Sequence, residues 1–139
     1  MKVFLDTNVW LSATIFSGLC EALVTECADR DWLLTSDLIR QEAHEVLTRK
    51  FPHVPDATAL FDASWSEVRC IADVAEPADD ADARLVAAAA TAGVELFVTG
   101  DQRVLGWASA GAMRLVSPRQ AWEILFGSSA QGENQRPPG

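Results

Sequence analysis

The chain opens on an apolar run, Val3, Phe4 and Leu5, so residues 2–5 read as a buried strand. The pattern then breaks. Asp6, Thr7 and Asn8 are polar, and Val9, Trp10 and Leu11 return to apolar. From 18 to 29, Leu19, Leu23 and Cys27 recur every fourth residue, which predicts a helix. Trp32, Leu33 and Leu34 make a second short strand. Ser36 is a good helix N-cap, and the helix it opens runs to about Lys50, stopped by Pro52. A further helix is predicted over 56–67, carrying Leu60, Phe61 and Trp65, and Val68 to Ile71 reads as a short strand or an extended link. The alanine-rich stretch 78–93 is strongly helical and closed by Gly93. "ELFVTGD", 95–101, is a strand ending at a tight turn that Gly100 allows. A short helix at 102–109, a last strand at 113–117 and a final helix from Pro118 to Phe126 complete the pattern.

This alternation predicts an α/β fold, a central parallel β-sheet flanked by helices on both faces. Residues 1–126 form one domain, and 127–139, "GSSAQGENQRPPG", read as a disordered tail because they offer little to bury. A chain of 139 residues with 49% hydrophobic content is large enough for a proper core. No apolar run approaches the roughly eighteen residues of a membrane-spanning helix. Asp6 inside the first apolar stretch argues against a signal peptide. Cys20, Cys27 and Cys70 form no CxxC pair and read as buried thiols in a reducing compartment, with cytoplasm the simplest location. A net charge of −9 is wrong for a binder of bulk nucleic acid. The objection weakens if several acids share one site that takes up cations and so inverts the local charge.

The acids therefore need placing one at a time. In parallel sheets, sites form beyond the carboxyl ends of the strands. Asp6 and Asp101 each stand at such an end, and if both strands are central the two emerge side by side. Singly, each also reads as a helix N-cap. In the helix 36–50, Leu38, Ile39, Ala43, Val46 and Leu47 define the apolar stripe. Glu42 falls about 60° from its centre, Glu45 about 120° away and His44 further. Glu42 is thus the acid turned inward, while Glu45 is solvated. In the helix of about 80–92, Asp82 projects between Leu85 and Val86 in the first turn, where the helix dipole favours a carboxylate. Asp80 points away, and Asp79 with Asp82 resembles a capping pair. Asp6, Glu42, Asp82 and Asp101 then face one place. Four carboxylates cannot all stay ionised there without compensation. Their hard oxygens suit Mg2+ or Mn2+, whereas His44 and His53 lack the spacing of a zinc site.

"FLDTNVW", "LIRQEAHEVLTRKF" and "DADARLVAAAATAGVELFVTGD" together resemble the successive motifs of PIN domain nucleases, nearest to the toxin-like bacterial branch with its VapC-type toxins. The resemblance covers the chain to about residue 125. It implies a PIN-like doubly wound sheet and an acidic Mg2+ or Mn2+ site that hydrolyses RNA phosphodiester bonds. It implies Asp6, Asp82 and Asp101 as metal ligands. Glu42 becomes a ligand through water or the residue that orients the attacking water, and Thr99 and Asn8 hold the carboxylates by hydrogen bonds. The chain departs from the family in "EPADDAD", where members often have "DP", which leaves the part of Asp79 open.

Phosphate contacts would fall to Arg49, Lys50, Arg84 and Arg103, which follow or flank the motif positions, although a surface charge or a local ion pair explains each singly. Two lysines and nine arginines, 11 cations in all, are too few for strong nonspecific binding, which points to a chosen or structured RNA. A haloacid-dehalogenase-like phosphatase needs a second acid where Asn8 stands and a late lysine, and Lys50 is the last; a response-regulator-like receiver fails similarly. The stronger alternative is a catalytically silent PIN-like fold serving as an RNA-binding or protein-interaction module. Most of the five tryptophans sit in apolar patterns as core or interface anchors. Exposed apolar faces on the first two helices would suit a homodimer, or the antitoxin that the resemblance implies as a partner.

Overall fold

The computed structural model describes residues 1–127. Six strands form one sheet: β1 (Val3–Leu5), β2 (Leu33–Thr35), β3 (Arg69–Cys70), β4 (Leu96–Val98), β5 (Ser109–Ala110) and β6 (Met113–Val116). Their spatial order is β3-β2-β1-β4-β6-β5, and every pair is parallel except the β5–β6 hairpin. The all-parallel expectation fails at that edge, where Gly111 at φ +61 turns the chain back too tightly for a crossover. β1 lies between β2 and β4, with Val3 opposite both Leu33 and Leu96. The strand order therefore reverses at β1, and a crevice opens beyond its carboxyl end.

The helices are α1 (Thr7–Ile15), α2 (Leu19–Asp29), α3 (Asp37–Lys50), α4 (Ala57–Trp65), α5 (Ala81–Thr91), α6 (Gln102–Leu105) and α7 (Pro118–Trp122), the last running into a π-helical turn, Glu123–Gly127. α1 is not foreseen from the hydrophobic pattern. Its sequence, TNVWLSATI, scatters Thr7, Asn8, Ser12 and Thr14 among apolar residues and shows no 3.6-residue stripe. The tertiary fold explains this: α1 packs against α2, α3 and α4, with Val9 and Trp10 fully buried. The helix expected over 102–109 stops at Leu105, and Ser109–Ala110 is instead the edge strand β5, while the terminal signals of the other helices hold. Ser36 caps α3, and Ser117 closes a reciprocal capping box at α7 with Pro118 at the first position. Gly93 at φ +81 ends α5, its N–H donating to the Ala90 carbonyl. At the other end of α5 the cap is Asp80, whose carboxylate accepts from the Ala83 N–H at 3.1 Å, rather than Asp79.

Val3, Phe4, Leu5, Phe97 and Val98 are all buried, and the Phe4 and Phe97 rings stack at 5.4 Å between the two central strands. Trp10 meets Phe61 of α4 edge to face at 5.7 Å. Trp32, Trp65 and Trp122 pack against the core, and Trp107 is exposed. The cysteines are free, but only Cys27 is buried: Cys20 is half-buried, and Cys70 is exposed because two-residue β3 is an edge strand. The expected tail lies outside the described residues, except Gly127, which is buried at the end of the π-helical turn. Among the described residues no single helix is long and apolar enough to cross a membrane.

Candidate active site

Asp6 follows β1 directly and is only 4% exposed. Its carboxylate uses both oxygens. One accepts from the Thr7 N–H at 2.8 Å, which caps α1. The other accepts from the Thr99 hydroxyl at 2.8 Å and from the Asn8 side-chain amide at 3.3 Å. Thr99 follows β4 and is fully buried, so the reach from β1 to β4 is fixed by the sheet register, with the Asp6 N–H donating to the Val98 carbonyl. Thr99 Oγ1 also accepts from the Asp101 N–H at 3.0 Å. The Gly100 N–H donates to Asn8 Oδ1 at 2.8 Å. A Cβ at Gly100 would lie 3.3 Å from that oxygen, and φ there is not positive. Glycine therefore serves the close approach to Asn8 and not, as the turn alone suggested, an unusual backbone angle.

Glu42 reaches the same place from α3. Its Oε1 accepts from the Thr7 hydroxyl at 2.6 Å, so one threonine holds two acids, Asp6 through its N–H and Glu42 through its Oγ1. Asp82 enters from the first turn of α5. Asp6, Glu42 and Asp82 line one shallow cleft of ≈ 270 Å3 with Thr7, Asn8, Leu11, Glu45 and Val46. Asp101 is set back: it caps α6, accepting from the Arg103 N–H at 2.8 Å, and acts on the cleft through its repulsion of Asp82. Sequence reasoning missed Thr7, whose role depends on helix α1, implied by the cap reading of Asp6 but not by the hydrophobic pattern, and it missed the apolar wall of Leu11 and Val46. It placed Glu45 in solvent; Glu45 is exposed, at the rim of the cleft.

The electrostatics follow from this packing. Burial pushes the Asp6 carboxyl up to about 6; the Thr99 and Thr7 hydrogen bonds pull it down, and the charges of Asp82 and Glu42 push it up again. Burial also raises Glu42, against the Thr7 hydrogen bond, with Asp82 raising it and Arg84 lowering it. Asp82 is raised by burial and then by Asp101, and relieved by Arg103. The acids thus sense one another across the crevice.

The basic candidates behave differently from one another. Arg103 is ion-paired with Asp80 and, at 3.3 Å, with Asp82. Asp80 was expected to point away; the arginine draws it to the rim of the site. Arg84 pairs with Asp73 at 3.2 Å. Arg49 and Lys50 lie exposed in the last turn of α3, away from the cleft lining, with no ion pair among the described residues. His44 binds Asp62 at 2.7 Å, and His53 is an exposed loop residue.

A model of the PIN domain matches residues 2–103, most of the chain and every acid of the cleft. The chain belongs to the PIN domain family. No curated protein matches it. This PIN domain has a nuclease-type fold, and PIN domains are generally nucleases that typically use divalent metals such as Mg2+. The donor set fits such an ion in chemistry: four carboxylates, no imidazole and no thiol, three of them raised in pKa by burial and mutual repulsion. As placed, however, no group of three or more His, Cys, Asp or Glu side chains among the described residues forms a ready-made ion cage.

Proposed function

We propose that this PIN domain is a metal-dependent endoribonuclease, hydrolysing RNA phosphodiester bonds at the crevice beyond β1 with Mg2+ or Mn2+. The observation that carries the reading is Asp6: a carboxylate buried at the strand-order reversal, raised to about 6, with two further acids facing it. Asp6, Asp82, Asp101 and Glu42 would hold the ion. When bound, a divalent cation supplies an acidified water and neutralises charge on the phosphoryl group and the departing 3′ oxygen. Thr99 and Asn8 hold the outer oxygen of Asp6, and Thr7 holds Glu42, so the carboxylates are oriented before substrate arrives. Glu42, which lines the cleft, would hold the ion through water or orient the attacking water. The leaving 3′ oxygen takes a proton from solvent. Arg49 and Lys50, exposed and free of ion pairs among the described residues, would be candidates for phosphates beyond the cleft itself; Arg84 and Arg103 are engaged internally.

The motif resemblance extends the reading to the toxin of a toxin–antitoxin system. Phe16 and Leu60, 62% and 56% exposed beside a cleft between α1, α2 and α4, offer a face for a second copy or for an antitoxin. The alternative, a silent RNA-binding or protein-interaction module, is favoured by one feature: no three acids yet enclose an ion among the described residues. RNA degradation by the purified chain decides. The nuclease reading expects cleavage that requires Mg2+ or Mn2+ and disappears in Asp6→Ala. Persistent cleavage by Asp6→Ala, or none by the parent at any Mg2+ or Mn2+ concentration, refutes it. Growth arrest on expression, absent with Asp6→Ala, tests the toxin assignment separately.

A further inference from the structure

Arg103 stands between the two ends of the acidic constellation. Its backbone N–H donates to Asp101 at 2.8 Å. Its guanidinium reaches back across the site: Nη1 lies 3.3 Å from Asp82 Oδ2 and 3.5 Å from Asp80 Oδ1, and Nη2 binds the other Asp80 oxygen. The Trp107 ring lies 5.0 Å from its Cζ. One residue thus engages two of the four acids, Asp101 through its main chain and Asp82 through its side chain.

The two side-chain contacts are unequal. Asp80 is bound by both guanidinium nitrogens and is itself fixed as the cap of α5, whereas Asp82 accepts from one nitrogen only. Asp80 is the anchor, and Asp82 is shared. The Arg103 side chain is 54% exposed and that of Asp82 33%, so both partners of this contact are open to solvent.

We propose that Arg103 is a tethered counter-ion that competes with a divalent cation for Asp82, so that loading the site requires the guanidinium to leave Asp82 while Asp80 and Trp107 retain it. This rests on the metal-dependent reading above. The physical basis is simple. A fixed positive charge beside a ligand repels a dication and occupies one carboxylate oxygen, yet in its absence Asp82 faces the other acids uncompensated. The arginine therefore stabilises the acids at the cost of ion affinity.

Calorimetric titration of the full chain with Mn2+ near neutral pH tests this. Arg103→Gln binds Mn2+ roughly three- to tenfold more tightly than the parent, the gap narrowing at high salt because the site is open to solvent. Arg103→Lys, which keeps the charge but not the fork, falls between them. Equal or weaker binding by Arg103→Gln, with the fold intact by circular dichroism, overturns the proposal while leaving the metal reading in place. A parent chain that takes up no Mn2+ refutes the metal reading and this inference with it.

Discussion

Replacing Asp6 by asparagine separates the cost of its charge from the value of its hydrogen bonds. The carboxyl rises from an ordinary 3.8 to about 6, mainly through burial. A rise of about two pKa units, at about 1.4 kcal/mol each, comes to about 3 kcal/mol. Because the folded-state pKa is raised, the folded chain binds the proton more tightly than the unfolded chain. Below about 3.8 both states are protonated and nothing is lost. Between about 3.8 and 6 the unfolded chain ionises first, and stability falls as pH rises; above about 6 the loss is complete. Asparagine carries no charge and so escapes this loss. It keeps an oxygen for the Thr7 N–H but turns an amino group toward Thr99 and Asn8, a mismatch of about 1–2 kcal/mol that does not change with pH. Urea unfolding followed by tryptophan fluorescence, with chelator present, reads the balance. At the acid end of the window Asp6→Asn is the less stable protein by about 1–2 kcal/mol. Above it the order reverses, the variant leading by about 1–2 kcal/mol. A stability difference that stays constant from about pH 4 to pH 7 would refute the burial argument.

Other measurements bear on the same geometry. Mg2+ at about a hundred times its dissociation constant stabilises the parent by roughly 2.7 kcal/mol, read as a higher melting temperature near neutral pH; an equal rise in Asp6→Asn would remove Asp6 from the ligand set. Thr7→Val deletes the 2.6 Å donor to Glu42 but keeps the N–H to Asp6. It is expected to cost about 1 kcal/mol of stability and roughly 10- to 100-fold in RNA cleavage, and unchanged cleavage would show that the placement of Glu42 is immaterial. Gly100→Ala pushes a methyl group to 3.3 Å from Asn8 Oδ1. Asn8 must shift, and denaturation should show a loss of about 1 kcal/mol, with Asn8→Ala in the same background recovering most of it.

Much of this was legible in the chain. Parallel strands announce themselves as short unbroken apolar runs, and β1, β2 and β4 are such runs, each with an interior fully buried. The caps at Ser36 and Gly93 and the helix start at Pro118 are local signals and survive folding because nothing tertiary competes with them, whereas the Ser117 cap was read as the end of a strand. The 3.6-residue period also placed Glu42 and Asp82 toward one cleft. What escaped depends on contacts that periodicity does not encode. Helix α1 packs against three other helices, and its polar residues, Thr7, Asn8, Ser12 and Thr14, are not gathered on one face to betray it. The cap reading of Asp6 hinted at a helix there, but without a periodic stripe the double role of Thr7 was invisible. The cap of α5 is Asp80, which also pairs with Arg103, a partner two elements away in the chain that periodicity does not reveal.

The two readings of Asp6, cap and ligand, need not compete, because its oxygens do different work. A helix cap needs one oxygen, and Asn or Ser would supply it without a buried charge. Here only the oxygen facing Thr7 caps α1; the other is gripped by Thr99 from β4 and Asn8 from α1, which contributes nothing to the cap. Every one of those donors is neutral. The outer acids, Asp80 and Asp82, have a guanidinium beside them, while Asp6 and Glu42 receive only hydroxyl and amide hydrogens. The Arg84 charge lowers Glu42, but its ion pair is with Asp73, so the inner pair, raised by burial, has no cation in direct contact among the described residues. A fold selected for stability alone would neutralise that pair; one that must draw a dication to a fixed point at the strand-order reversal would leave it charged and brace it with neutral donors.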